Sequence, residues 1–183
     1  QRANQRGVKI MAGYWIPHNS DFNFTGGPTD PRRVGMINDF VAYVNALRAD
    51  PNYSAVLMIG LSNENNTHWC EWANQPFVCT PCDPNVQARG FYNLVNDMAS
   101  QAKAGDPDPR PIIVVISNLG DIGNAARLAN DASLPNIDAW GVNTYQGSSF
   151  NTLFADYALR SQKPLVMTEY GMDAWNEDPT PTA

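Results

Sequence analysis

The chain has 183 residues, a formal net charge of -6 and a hydrophobic content of 43%, which is enough for one globular core. Only 12 residues are basic, so nucleic acid is excluded as a favoured partner, because binding a phosphate backbone requires clustered Lys and Arg. No apolar run reaches the ~20 residues needed to cross a bilayer, and no membrane span is predicted. We expect one domain over residues 1–183 and an uncharged polymer as its partner.

Five apolar segments predict β-strands. They cover residues 7–16, 55–64, 111–118, 137–145 and 164–171. The segment over 111–118 is continuously apolar, as expected for a strand that is buried on both faces. The second and fifth segments contain Glu64 and Glu169 near their carboxyl ends.

Four helical segments alternate with these strands. The first is predicted to begin at Pro31, with Asp30 as its N-cap, and to end before Pro51. The second opens with Asp83 and Pro84 and stops at Gly105. Shorter helices are expected over about 124–132 and 153–160. The side chains expected on the buried faces of the two long helices are Val34, Ile37, Val41, Val44 and Leu47, then Phe91, Leu94, Val95 and Met98.

Strict alternation of strands and helices favours a parallel sheet with crossover helices. A closed (β/α)8 barrel needs eight such units and typically ~250 residues. We therefore expect a TIM-type barrel fragment that covers about strands three to seven, and we expect the isolated chain to be poorly soluble and inactive because its edges are unsealed. An open five-stranded α/β sheet is the alternative, but Gly26, Gly27 and Pro28 do not match the phosphate-binding turn common in that class.

Glu64 and Glu169 each follow an apolar strand, and catalytic residues of barrels collect at the carboxyl ends of strands. Breaking a glycosidic bond takes one carboxyl group that protonates the departing oxygen and a second, ionised one that faces the reacting sugar carbon. The pair therefore predicts a glycosidase. Each glutamate also has a simpler interpretation: Glu64 could cap the next segment, and Glu169 could be a strand-end carboxylate paired with an arginine.

The chain resembles the clan of retaining glycoside hydrolases with an eight-stranded barrel, in which the acid/base follows an Asn on strand four and the nucleophile ends strand seven. Asn63-Glu64 and Glu169 match those two places. Within the clan, residues 138–145 and 168–171 are most similar to the β-1,3-glucanosyltransferases of fungal cell walls. The chain differs from that family in having Ser62, where a glycine is usual, before the Asn-Glu pair.

This resemblance implies a secreted enzyme that acts on a β-glucan, with β-1,3-glucan as the first substrate, and that needs no metal or cofactor. Glu64 would be the acid/base and Glu169 the nucleophile, hydrogen-bonded by Tyr145, while Asn63 would bind the sugar hydroxyl beside the reacting carbon. Further substrate contacts are expected from Asn143, Trp15, Tyr14, His18 and Trp175. The alternatives are a retaining hydrolase of another β-glycan, such as a galactoside, glucuronide or mannan, and a glycan-binding relative without turnover.

Three cysteines, Cys70, Cys79 and Cys82, lie close to His68 in the sequence. A loop disulfide in an oxidising compartment is the preferred interpretation. A Cys3His zinc site is the alternative, because Cys79 and Cys82 have the two-residue spacing of zinc ligands.

Overall fold

A computed structural model describes residues 2–70, 82–146 and 149–171. These residues form a curled, five-stranded, all-parallel sheet whose strand order follows the chain. The strands are Ile10–Tyr14 (β1), Val56–Leu61 (β2), Ile112–Ser117 (β3), Ala139–Thr144 (β4) and Leu165–Tyr170 (β5). The five predicted strands and their parallel pairing are confirmed. A doubly wound sheet reverses its strand order at a switch point, and this sheet does not.

The described helices are Arg2–Gln5 (α1), Pro31–Ala49 (α2), Pro84–Lys103 (α3) and Leu153–Ala158 (α4). Asp30 caps α2 by accepting a hydrogen bond from the Arg32 N–H, and Asp83 caps α3 in the same way through Asn85. A proline at the first helical position follows each cap, as the sequence predicts. None of the helices in the described ranges is long and apolar enough to span a membrane.

The helix predicted over 124–132 is wrong. Two short 3-10 turns, Ala125–Arg127 and Asp131–Ser133, occupy this region. The side chains of Asn124 and Asn130 accept hydrogen bonds from the backbone N–H groups three residues ahead, and each bond closes a local turn. Asparagine competes with helix formation in this way, and it overrides the helix propensity of the alanines.

The two faces of the sheet have different coverings. The main core packs α2 and α3 against one face, and α3 contributes Phe91, Leu94, Val95 and Met98, all fully buried as predicted. A smaller apolar cluster on the other face is built from strand residues only: Ile113, Val115 and Ala139, with Met58 and Val166 packed beside them. Among the described residues, no helix covers this second face, which we call the open face.

The buried face of α2 differs from the prediction. Val34 is exposed, whereas Arg33 and Phe40 are buried. Phe40 packs edge-on against Tyr14 of β1, with 5.1 Å between the ring centroids. Arg33 pairs with Asp97 of α3, so its charge is compensated at the interface of the two helices. An apolar repeat cannot identify a buried arginine, because the ion partner lies on another helix.

The loop between β1 and α2 is held against α3. Its Phe22 packs on Phe91, with 5.2 Å between ring centroids, and the Phe22 N–H donates to the buried side-chain oxygen of Gln87 at 2.7 Å. The backbone of this loop crosses α3 at Gly90, where a Cβ atom would lie 1.9 Å from the Phe22 carbonyl oxygen. Gly90 is therefore required for the close approach.

We expect Gly90→Ala to lower the free energy of unfolding by about 1 to 3 kcal/mol, since the added methyl group displaces the loop. Gly35 in α2 has no atom within 4 Å of the equivalent Cβ position. Gly35→Ala should therefore raise the free energy of unfolding by about 0.5 to 1 kcal/mol, the usual gain within a helix. Chemical denaturation of both variants tests this pair, and equal effects would contradict the close approach.

Candidate functional site

A cavity of about 350 Å³ lies on the open face at the carboxyl ends of the strands, a size typical of small-ligand sites. Its polar lining comes from Asn63, Asn143, Thr168 and Glu169, and Trp15 borders it. Apolar residues that include Met11, Gly60 and Val115 complete the lining. The structure therefore brings together residues that are widely separated in sequence. They lie at the carboxyl ends of the strands, as predicted.

Among the described residues that line this cavity, Glu169 is the only charged one. Its Oε2 accepts a hydrogen bond from the Tyr145 hydroxyl at 2.7 Å, so the predicted hydrogen bond is confirmed. Within the described ranges, Glu169 forms no ion pair with any cation. The simpler interpretation, a strand-end carboxylate paired with an arginine, therefore lacks support in the described part of the chain.

A break in the strand register shapes the Glu169 side of the cavity. Val142 of β4 pairs with Met167 of β5, but Asn143 pairs with Glu169, and Thr168 is left between them. Such a bulge changes the direction of side chains that would otherwise alternate between faces. Both Thr168 and Glu169 can thus line the same cavity. The sequence carries no signal for this register shift.

The turn after β2 holds Asn63 between two strained residues. Ser62 and Glu64 have φ values of 65° and 56°, in the left-handed region that costs a non-glycine residue roughly 1–2 kcal/mol. The Val115 carbonyl oxygen offsets part of this cost, because it accepts hydrogen bonds from the Ser62 hydroxyl at 2.9 Å and the Glu64 N–H at 3.2 Å. Strain retained in this way is a feature of functional sites.

Two further asparagines fix this turn and were missed by sequence reasoning. Asn65 is 1% exposed, and its side-chain amide donates to the Ile16 carbonyl oxygen at 3.2 Å. Asn66 exchanges two hydrogen bonds with the backbone of Ser117, at 2.8 and 2.9 Å. These contacts tie the turn to the ends of β1 and β3. The available signal was the asparagine-rich run itself, since Asn side chains commonly stabilise turns.

Glu64 lies in the same turn and is half-buried. It does not belong to the lining of the cavity that Asn63 and Glu169 share. The structure therefore brings Asn63, Asn143 and Glu169 together in one cavity, and Glu64 is not among its described lining residues. The catalytic roles of both glutamates remain predictions.

Three of the predicted substrate-binding residues lie around β1. Trp15 is 56% exposed at the cavity. Tyr14 also borders the cavity, and its ring packs against Phe40 and Tyr43 of α2. Burial raises the pKa of the Tyr14 hydroxyl, and nearby Asp39 adds to this effect, so Tyr14 stays neutral. His18 is not among the described residues that line this cavity.

The Nε2 atom of His18 is hydrogen-bonded to the backbone carbonyl oxygen of Asn63. Because a carbonyl can only accept, Nε2 carries the proton in this bond. The His18 ring stacks on His68, with 4.1 Å between centroids, and lies beside Trp15 at 4.7 Å. His18 therefore supports Asn63 in this structure, and its predicted contact with substrate remains untested.

The loop that carries His68 is anchored by a buried carboxylate and a disulfide. Asp121 accepts hydrogen bonds from the Trp69 indole at 3.2 Å and the Tyr92 hydroxyl at 3.0 Å, and pairs with Arg127 at 2.6 Å. Burial raises the pKa of Tyr92 well above its usual range, and the Asp121 charge adds to this, so Tyr92 remains a donor.

Cys70 and Cys82 form a disulfide, so the predicted loop disulfide is confirmed. The bond removes two thiolates from the alternative zinc set. Cys79 and the predicted stacking residue Trp175 lie outside the described residues.

Comparison with models of known protein families gave no match, and neither did comparison with curated protein sequences.

The strain at Glu64 can be tested separately from any activity. We expect Glu64→Gly to be more stable than Glu64→Ala by about 1 kcal/mol, because glycine adopts the left-handed conformation without a steric cost. Both variants lack the carboxyl group, so each serves as the control for the other. The measurement is the free energy of unfolding by denaturant titration. Equal stabilities, or a more stable alanine variant, would contradict the left-handed conformation.

Proposed function

We propose that this chain forms the middle of the catalytic domain of a retaining glycoside hydrolase or transglycosylase that acts on a β-glucan. The observation that carries the proposal is the placement of Glu169. It lies at the carboxyl end of a parallel strand, lines a cavity, accepts a hydrogen bond from Tyr145 and has no ion partner in the described ranges. A carboxylate in that setting suits attack on a sugar carbon that develops positive charge.

The proposed whole fold is a TIM-type (β/α)8 barrel in which β1 to β5 correspond to strands three to seven. Support comes from the monotonic strand order, the curl of the sheet and the covering of helices on one face only. In such barrels the substrate binds at the carboxyl ends of the strands, where the cavity lies. The exposed apolar side chain of Met11 on the open face would be covered by the remaining strands.

The proposed reaction is a double displacement. Tyr145 holds Oε2 of Glu169 at 2.7 Å, which leaves Oε1 to attack the anomeric carbon. As the bond between that carbon and the glycosidic oxygen breaks, the departing oxygen takes the proton of Glu64. A water molecule or the hydroxyl of a second glycan then attacks the same carbon and gives its proton to Glu64, and the bond to Glu169 breaks. Water gives hydrolysis, and a glycan gives transfer.

The proposed reaction places a structural demand on the carboxyl group of Glu64. Because Glu64 is not among the described residues that line the cavity, its carboxyl group has to reach the departing oxygen when substrate binds. Catalytic contacts are often incomplete until the substrate is in place. The strained backbone at Glu64 is compatible with this demand, because the neighbouring hydrogen bonds hold the main chain while the side chain moves.

The lining of the cavity supports a neutral, hydroxyl-rich substrate. Trp15 offers an exposed ring for the C–H face of a sugar, and Asn63 offers an amide for its hydroxyl groups. The described lining of the cavity includes no cation that would favour a phosphate or carboxylate group. We propose β-1,3-glucan as the substrate and the cell surface or extracellular space as the location, which the disulfide supports.

A second candidate is a glycan-binding protein without turnover. The observation that favours it is the position of Glu64, since a cavity that contains only one of the two carboxyl groups can bind a sugar without cleaving it. In that case Glu169 serves as a hydrogen-bond acceptor for a sugar hydroxyl. The enzyme and the binding protein therefore predict different effects of removing the negative charge of Glu169.

We expect Glu169→Gln to reduce the cleavage rate of β-1,3-gluco-oligosaccharides by about 10³-fold or more while binding persists. Tyr145→Phe should reduce it by about 10-fold to 100-fold, since one hydrogen bond to the nucleophile is lost. Tyr170→Phe is the matched control, because Tyr170 is 70% exposed and next to Glu169 in the chain, and it should retain the rate.

The rates are measured by product analysis on the natural protein that contains this chain, and binding is measured by calorimetry. A wild-type protein that binds the oligosaccharides without cleaving them would favour the binding protein. If Glu169→Gln retained the cleavage rate of the wild type, the assignment of Glu169 would be wrong.

A further inference from the structure

Three polar side chains form a hydrogen-bonded chain along one side of the cavity. The Thr168 hydroxyl of β5 donates to Oδ1 of Asn143 at 2.6 Å, and Nδ2 of Asn143 donates to Oδ1 of Asn63 at 3.1 Å. Asn143 of β4 is 1% exposed. These contacts join β5, β4 and the turn after β2, and each is within the normal distance for its type.

The direction of these bonds fixes which end of the Asn63 amide faces the cavity. Since Oδ1 of Asn143 accepts from Thr168, the amide of Asn143 presents its nitrogen to Asn63. The carbonyl oxygen of the Asn63 side chain is thereby occupied, and His18 occupies the backbone carbonyl of the same residue. The Nδ2 group of Asn63 has no hydrogen-bond partner within the described ranges and is left for a ligand.

Thr168 lies on the same face of the sheet as Asn143. It has no register partner in β4, whereas its neighbours Met167 and Glu169 do. In an uninterrupted strand, Thr168 and Glu169 would point to opposite faces. The bulge therefore lets the carboxylate of Glu169 share the cavity with Thr168, whose hydroxyl donates to Asn143.

We infer that Thr168 and Asn143 are positioning residues, which lock the Asn63 side chain with its N–H donors toward the substrate. The inference deepens the proposed function and rests on it for the identity of the ligand group, the sugar hydroxyl beside the reacting carbon. A free asparagine can rotate and offer either a donor or an acceptor. Rotation here would break the bond from Asn143, so Asn63 selects a ligand oxygen that accepts.

The test replaces the Thr168 hydroxyl by a methyl group of similar size. We expect Thr168→Val to lower kcat/KM about tenfold for an oligosaccharide with the hydroxyl beside the reacting carbon, and less than twofold for the matched 2-deoxy substrate. Thr168→Ser should restore the wild-type ratio, because it restores the donor.

Thr144→Val is the matched control. Thr144 is fully buried in β4 on the helix side of the sheet, and its hydroxyl has no hydrogen-bond partner in the described part of the chain. The variant should keep the wild-type kcat/KM for both substrates. If Thr168→Val lowered kcat/KM equally for both substrates, or lowered it for neither, the positioning role would be overturned.

A readout without turnover separates this inference from the proposed function. In ¹H–¹⁵N spectra, the side-chain NH₂ of Asn143 should exchange slowly with solvent in the wild type and in Thr168→Ser, and at least about tenfold faster in Thr168→Val. An unchanged exchange rate in Thr168→Val would overturn the inference even for an inactive protein. Slow exchange with no cleavage of either substrate would contradict only the proposed function.

Discussion

The site depends on one geometric constraint: parallel strands that neighbour one another in chain order deliver all their carboxyl ends to the same edge of the sheet. Asn63 follows β2, Asn143 lies in β4 and Glu169 lies in β5, yet they line one cavity. The large core beneath the sheet makes this arrangement rigid, because α2 and α3 bury one face of every central strand. The candidate site lies on the open face, where strand and turn residues supply the described lining.

The turn after β2 shows how the fold maintains an unfavourable backbone conformation. A glycine at 62 or 64 would adopt the left-handed backbone without strain, yet the chain has serine and glutamate there. Contacts from three directions compensate: Val115 accepts from the backbone and from Ser62, Ser117 pairs with Asn66, and Ile16 accepts from Asn65. The side chain of Asn63 is then held by Asn143 and its backbone by His18.

Local sequence signals were sufficient for most of the fold. Asp-Pro pairs located the starts of α2 and α3, and apolar runs located the five strands, because caps and burial act within a few residues. The local sequence signals gave a wrong prediction at Arg33 and over residues 124–132. Arg33 is buried because Asp97 lies opposite, and residues 124–132 form turns because Asn124 and Asn130 bind the backbone.

The residues of the candidate site could likewise be predicted only in part from the sequence. Strand-end position predicted Glu169, and the resemblance supplied Asn63 and the hydrogen bond from Tyr145 to Glu169. The sequence gives no indication of Thr168, because its role depends on a hydrogen bond to Asn143 of another strand. It also could not predict that Glu64 would be absent from the described lining of the cavity. The most direct test is the anomeric configuration of the first product, followed by ¹H NMR during cleavage of a β-1,3-gluco-oligosaccharide. Double displacement predicts that the β configuration is retained, and a product that is initially α would contradict it.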